Sequence, residues 1–187
     1  MRVFFAVNLS DNTKDRIADA IRAIGIYDPP WRWVARDNFH VTLKFLGDVP
    51  PEQVTGLTEV VNEACRSISP FSITFGELGG FPNLKQPRVL FYRIVDGARL
   101  LARLAEHVDE SLTAVGVEKE RRPFRAHVTV ARVKLPLEQD LAALLDCASP
   151  VSGGRETVSS LTLMESHLRR QGVRYQRLKE IALRKPK

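Results

Sequence analysis

Apolar residues recur every second position in some stretches of this chain and every third or fourth in others, and the changeovers mark out its elements. Arg2 to Asn8 (RVFFAVN) is a compact apolar run that predicts a strand. Ser10 or Asp11 then stands where a helix cap belongs, ahead of Ile17, Ile21 and Ile24 on one helical face with Ala18 beside them. The Asp28-Pro29-Pro30 cluster breaks the chain. Trp31 to Ala35 and Phe39 to Leu46 predict strands, closed by Gly47-Asp48. Pro50-Pro51-Glu52 opens a second helix carrying Val54, Leu57, Val60, Val61 and Ala64. Phe71, Ile73 and Phe75 alternate with polar residues, as in a half-buried strand.

Gly and Pro punctuate Glu77 to Arg88 (ELGGFPNLKQPR), which predicts a loop before a strand over Val89 to Val95. Ala98 to Val115 is the longest helical pattern, with Leu101, Leu104, Ala105, Val108 and Leu112 on one stripe. Arg121, Arg122 and Arg125 lead into a strand at Ala126 to Val133. Leu137 to Leu145 predicts a short helix and Ser152-Gly153-Gly154 a turn. Val158 to Glu165 and Val173 to Leu183 predict two closing strands around Gly172. The order divides into two comparable halves of antiparallel strands mixed with helices. That order predicts an α+β fold with helices packed on one face of each sheet. At 187 residues the chain could be one domain or two small lobes sharing a core.

Two of the predicted strands carry the same short word. His40-Val41-Thr42-Leu43 and His127-Val128-Thr129-Val130 both run His, apolar, Thr, apolar. With nine threonines in 187 residues, Thr two places after a given His is expected about one time in twenty. Two such pairs sharing the intervening Val are hard to reach by chance. The bland explanation is a duplicated fold that keeps a duplicated core pattern.

Side chains at i and i+2 share a strand face, about 6.5 Å apart. His40 and Thr42 are therefore expected on one face, as are His127 and Thr129, while Val41, Leu43, Val128 and Val130 anchor the other. An imidazole titrates near neutral pH, so one ring can take a proton from water while a second, protonated ring gives one to a leaving oxygen. A phosphodiester needs both actions, on opposite sides of phosphorus. Thr hydroxyls can donate to the non-bridging oxygens as charge redistributes. The scheme calls for no metal and no cofactor.

Composition sets the wider frame. The 28 Lys and Arg against 22 Asp and Glu leave a net charge of +6, and most of the cations are Arg. Arginine grips phosphate bidentately, so the excess suits phosphate or nucleic acid, although a soluble surface explains it equally well. Cys65 and Cys147 are isolated thiols without CxxC spacing, which suggests neither a disulfide framework nor a zinc site. The apolar N-terminal run is too short to span a bilayer and lacks a signal peptide's three-part pattern. We therefore expect a cytoplasmic, monomeric protein with no membrane partner.

The remaining candidates are weaker. His107 falls on the long helix, and His167 at a strand end reads as a surface residue. Trp31 and Trp33 could stack a base, but an aromatic pair on one strand face is more often core; Phe5 and Tyr175 carry the same ambiguity. Arg132 follows the second motif at an odd offset from His127. A regular strand would put it on the opposite face.

At these residues the chain resembles the 2H phosphoesterase superfamily, and more closely its RNA 2′,3′-cyclic phosphodiesterases, also called 2′-5′ RNA ligases. The resemblance runs through RVFFAVNLS, WRWVARDNFHVTLKFLGDVP, FGELGGFPN with RVLFYRI, FRAHVTVARV and LTLMESHLRRQGVRYQRL. It implies a bilobed α+β fold in which each lobe brings one motif to the groove. It implies His40 as proton donor, His127 as proton acceptor, Thr42 and Thr129 on the phosphate, and Arg132 as a binding residue. Phe5 and Tyr175 are the further substrate-binding candidates. The implied substrates are RNA ends or nucleotides bearing a 2′,3′-cyclic phosphate, opened to a 2′-phosphate. Other readings are a 2′-5′ linkage, an ADP-ribose 1″,2″-cyclic phosphate, or an RNA-end binding module without catalysis. The family usually has Pro before the second His, where this chain has Ala126.

Overall fold

The computed structural model describes residues 1–24, 31–83, 86–133, 154–169 and 172–184. The expected break at residues 28–30, the helix at 137–145, Cys147, most of the 152–154 turn and the last three residues lie outside these.

Nine strands among the described residues form two antiparallel sheets. The first sheet is ordered β3-β1-β8-β9, with β1 Arg2–Asn8, β3 His40–Asp48, β8 Ser160–Arg169 and β9 Gly172–Ala182. The second is ordered β2-β6-β5-β4-β7, with β2 Trp31–Trp33, β4 Phe71–Phe81, β5 Val89–Ile94, β6 His127–Val133 and β7 Arg155–Val158. Each half of the chain thus supplies one His-Thr strand to a different sheet, and those two strands, β3 and β6, approach one another.

One continuous core lies behind both sheets. Val3, Phe5, Val7, Val41 and Leu43 meet it from the first, Ile73, Leu90, Tyr92, Val128 and Val130 from the second. Helices α1 (Asp11–Ile24), α2 (Val54–Ala64) and α3 (Ala98–Thr113) cover it with Ile17, Val61, Leu101, Leu104 and Val108. Ser10 caps α1, its Oγ accepting from the Thr13 amide at 3.3 Å. On the opposite face of the first sheet, Phe4, Ala6 and Met164 form a second, smaller buried cluster with Tyr175 packed against it.

Two expected boundaries differ. Glu77 to Phe81 is strand, not loop, and β4 runs on to Phe81. Gly79 serves close approach rather than turning: a Cβ there would sit 2.7 Å from the Phe91 ring. The predicted strand at Val158 to Glu165 is two strands parted at Ser159. β7 pairs with β4 in the second sheet, and β8 pairs with β1 in the first. The chain changes sheets there.

Candidate active site

β3 pairs with β1, setting His40 opposite Asn8 and Thr42 opposite Ala6. β6 pairs with β5, setting His127 opposite Arg93 and Thr129 opposite Phe91. In both motif strands the apolar residues Val41, Leu43, Val128 and Val130 are buried, while the His and Thr residues keep part of their surface. Both pairs therefore face away from the core.

The same irregularity follows each motif. The register slips by one residue at Leu43, between the Ala6–Thr42 and Phe5–Lys44 pairs, and again at Val130, between the Phe91–Thr129 and Leu90–Ala131 pairs. Such a bulge reverses the alternation. Lys44 and Ala131 turn inward, and Phe45 and Arg132 turn outward. Arg132 therefore shares the face of His127 and Thr129, which corrects the offset argument. Its charge reaches His40, His127 and Tyr175.

The imidazoles are held alike. His40 Nδ1 donates to the Asn38 carbonyl at 2.7 Å, and His127 Nδ1 donates to the Arg125 carbonyl at 2.6 Å. A carbonyl only accepts, so each Nδ1 carries a hydrogen and each Nε2 is left for chemistry. The Thr42 hydroxyl lies 3.0 Å from His40 Nε2 and donates to it while the ring is neutral. Asn38 is itself fixed, since its Nδ2 donates to the Val173 carbonyl on β9 at 2.7 Å.

Aromatic rings brace both histidines. His40 lies 5.1 Å from Phe4 and 5.1 Å from Tyr175, centroid to centroid. His127 lies 5.2 Å from both Phe81 and Phe91, which stack at 4.2 Å. Beside His127 is a cavity of about 640 Å³ lined by these rings with Arg93 and Arg125. Phe5, a binding candidate from sequence, is fully buried in the core, and its neighbour Phe4 occupies the site face instead. β1 is an interior strand covered on both faces, so its apolar run gives no alternation to choose between them. Tyr175 lies beside His40 with part of its surface exposed.

Burial pulls the His40 pKa down to about 4; the Asn38 carbonyl opposes the fall, and His127 when protonated, Lys14 and Arg132 add to it. Burial, then Arg132, also lowers His127, against the pull of the Arg125 carbonyl. Burial raises the Tyr175 hydroxyl above its usual range. The free site holds two neutral imidazoles under a positive field, a setting that favours an anion.

The other candidates lie elsewhere. His107 Nδ1 bonds the Arg103 carbonyl on α3 at 2.8 Å. His167 is beside Glu165, at 3.1 Å, on the face of β8 opposite Met164. Trp31 and Trp33 pack against the core.

The pattern of the LigT-like phosphoesterases matches residues 7–91 and 95–175. The chain belongs to this family. Among its relatives, the RNA 2′,3′-cyclic phosphodiesterase of Aeropyrum pernix is 35% identical over 170 residues, 89% of this chain and 92% of that one. The enzyme of the same name from Archaeoglobus fulgidus is 31% identical, covering 96% and 98%. Among solved structures, Escherichia coli LigT complexed with 3′-AMP superposes with a TM-score of 0.79 at 28% identity over 97% of both chains. TT0787 of Thermus thermophilus gives 0.79 at 29% identity over 99% of both. The α+β, two-sheet architecture read from the sequence is that of these phosphoesterases.

Proposed function

We propose that this protein is an RNA 2′,3′-cyclic phosphodiesterase that opens the terminal ring to a 2′-phosphate by acid–base catalysis between His40 and His127. The observation that carries this reading is the matched tautomer. Two imidazoles, each anchored at Nδ1 with Nε2 left for chemistry, lie within electrostatic reach of one another and of Arg132. Similar proteins carry that activity in their names, and the similar LigT has been crystallised with 3′-AMP and with phosphate.

In the reaction, a water oxygen attacks phosphorus opposite O3′. His127 Nε2 takes a proton from that water. The P–O3′ bond breaks, and Nε2–H of protonated His40 gives its proton to O3′. The products are a 2′-phosphomonoester and a free 3′-hydroxyl, with the proton now on His127. Thr42, Thr129 and Arg132 hold the non-bridging oxygens and meet the charge that gathers on them. His40 is neutral in the free site, so the donor role requires the phosphodiester's negative charge to arrive first and favour the imidazolium.

The test is incubation with a 2′,3′-cyclic nucleotide in EDTA, followed by phosphorus NMR. A 2′-phosphate product, lost in His40→Ala and in His127→Ala, is expected. No turnover on mononucleotides or RNA ends overturns the reading. RNA binding that survives both substitutions without any turnover favours a binding module instead.

A further inference from the structure

Two lysines are buried among the described residues, Lys14 and Lys44, each at 5% exposure. Lys44 is paired with Asp109. Lys14, on α1, has no ion pair among the described residues. Its Nζ donates there to a single acceptor, the Asp37 carbonyl, at 3.3 Å. The nearby carboxylates are turned to another cation: Asp11, Asp15 and Asp37 all meet the Arg36 guanidinium. Burial lowers the Lys14 pKa, Arg177 and Arg36 repel its charge, and Asp11 and Asp37 attract it. A buried ammonium without an ion-pair partner is destabilising.

The place of Lys14 suggests what the charge is for. Residues Arg36–Asn38 form a short 3-10 turn ahead of β3. α1 grips this turn twice, through Arg36 at the surface and through Lys14 beneath. The next residue after Asp37 is Asn38, whose carbonyl fixes His40 Nδ1. The Lys14 charge also reaches the His40 ring.

We propose that Lys14 is a positioning residue for His40: it holds the turn that aims the ring and supplies an unpaired positive charge whose counter-charge is the bound phosphodiester. This rests on the reaction proposed above. The groups that act on His40 are His127 and Arg132 from β6, Lys14 from α1 and the ring of Tyr175 from β9. In the empty site, Lys14 and Arg132 disfavour the imidazolium. An arriving phosphodiester offsets both charges, and His40 can then hold the proton it gives to O3′. Protonation of the donor is thereby tied to the arrival of substrate.

The experiment compares the wild type with Lys14→Met and Lys14→Arg, by NMR titration of His40 and by turnover of 2′,3′-cyclic AMP against pH. In Lys14→Met the His40 pKa is expected to rise, the kcat/KM profile to move to higher pH, and its maximum to fall about tenfold. Lys14→Arg, which keeps the charge, is expected to restore all three. An unmoved His40 pKa and profile in Lys14→Met, whatever its stability, overturns the proposal, as does an equal displacement in Lys14→Arg. The wild-type protein gives a second reading that needs no variant. Saturation with sulfate is expected to move the Lys14 ammonium titration, followed by carbon NMR at Cε, to higher pH, and an unmoved titration overturns the counter-charge. Absence of wild-type turnover overturns the proposed reaction instead, and the two titrations still decide the role of Lys14.

Discussion

The Asn38 carbonyl accepts from His40 Nδ1 at 2.7 Å while the same residue's side-chain amide donates to Val173 on β9 at 2.7 Å. One asparagine thus fixes the tautomer of His40 and ties that fixing point to the far edge of the sheet. Asn38→Leu keeps the carbonyl and removes the tie. We expect kcat to fall about tenfold with KM little changed, because the ring loses its aim rather than its bond to substrate. Unfolding in urea should show a loss of about 1 kcal/mol. A KM effect with kcat intact would contradict this assignment.

The depressed histidines make anion binding depend on pH. The two imidazoles of the free site are neutral near pH 7, and a bound anion favours the imidazolium, so binding takes up a proton. Affinity for sulfate, which does not titrate in this range, should therefore rise as pH falls from about 7 to 5. Calorimetry in buffers of different ionisation enthalpy measures the uptake directly, and a pH-independent affinity would refute it.

The same shift acts on stability. The folded pKa of His40, about 4, lies below the ordinary value of about 6.5 expected in the unfolded chain. Between those values the unfolded chain binds more protons. The contribution is complete above about pH 6.5 and is lost as pH falls through 4. The urea midpoint should decline across that window in the wild type and decline less in His40→Gln.

Arg132 stands near both rings and lowers the pKa of each. Removing it in Arg132→Ala should raise both imidazole pKa values in an NMR titration while reducing kcat/KM about a hundredfold, the scale of a lost transition-state donor. Lost activity with unmoved pKa values would place its guanidinium away from the histidines.

Lys44, turned inward by the first bulge, meets Asp109 of α3 at 2.6 Å and the Glu118 carbonyl at 2.6 Å. Asp109 also accepts from the Glu120 amide at 3.1 Å. Lys44→Met strands a mostly buried carboxylate and should cost about 3 kcal/mol of stability. Combining it with Asp109→Leu should recover much of that in urea unfolding; additive losses would show that the two do not act as a pair.

What the sequence disclosed follows from where periodicity is informative. The His-Val-Thr words alternate cleanly, so the shared face of His40 and Thr42 could be read before any coordinates. Nothing at Leu43 or Val130 announces a bulge: neither is Gly, and both are ordinary strand residues, so the outward turn of Phe45 and Arg132 was hidden. Phe4 and Phe5 could not be told apart because β1 is buried on both faces. The Gly79-Gly80 pair signals either a turn or a close approach, and at Gly79 only the packing of Phe91 selects the second. The change of sheet at Ser159 has no local mark, since each side of it is simply a strand.

That change of sheet also orders the making of the site in time. A ribosome has translated both His-Thr words by residue 130, yet the sheet beneath His40 is then only β1 and β3. Its other two strands, with Tyr175 and the Val173 carbonyl that holds Asn38, come from residues 160–182. Of the two motif histidines, the one made earlier is the one whose surroundings are completed later.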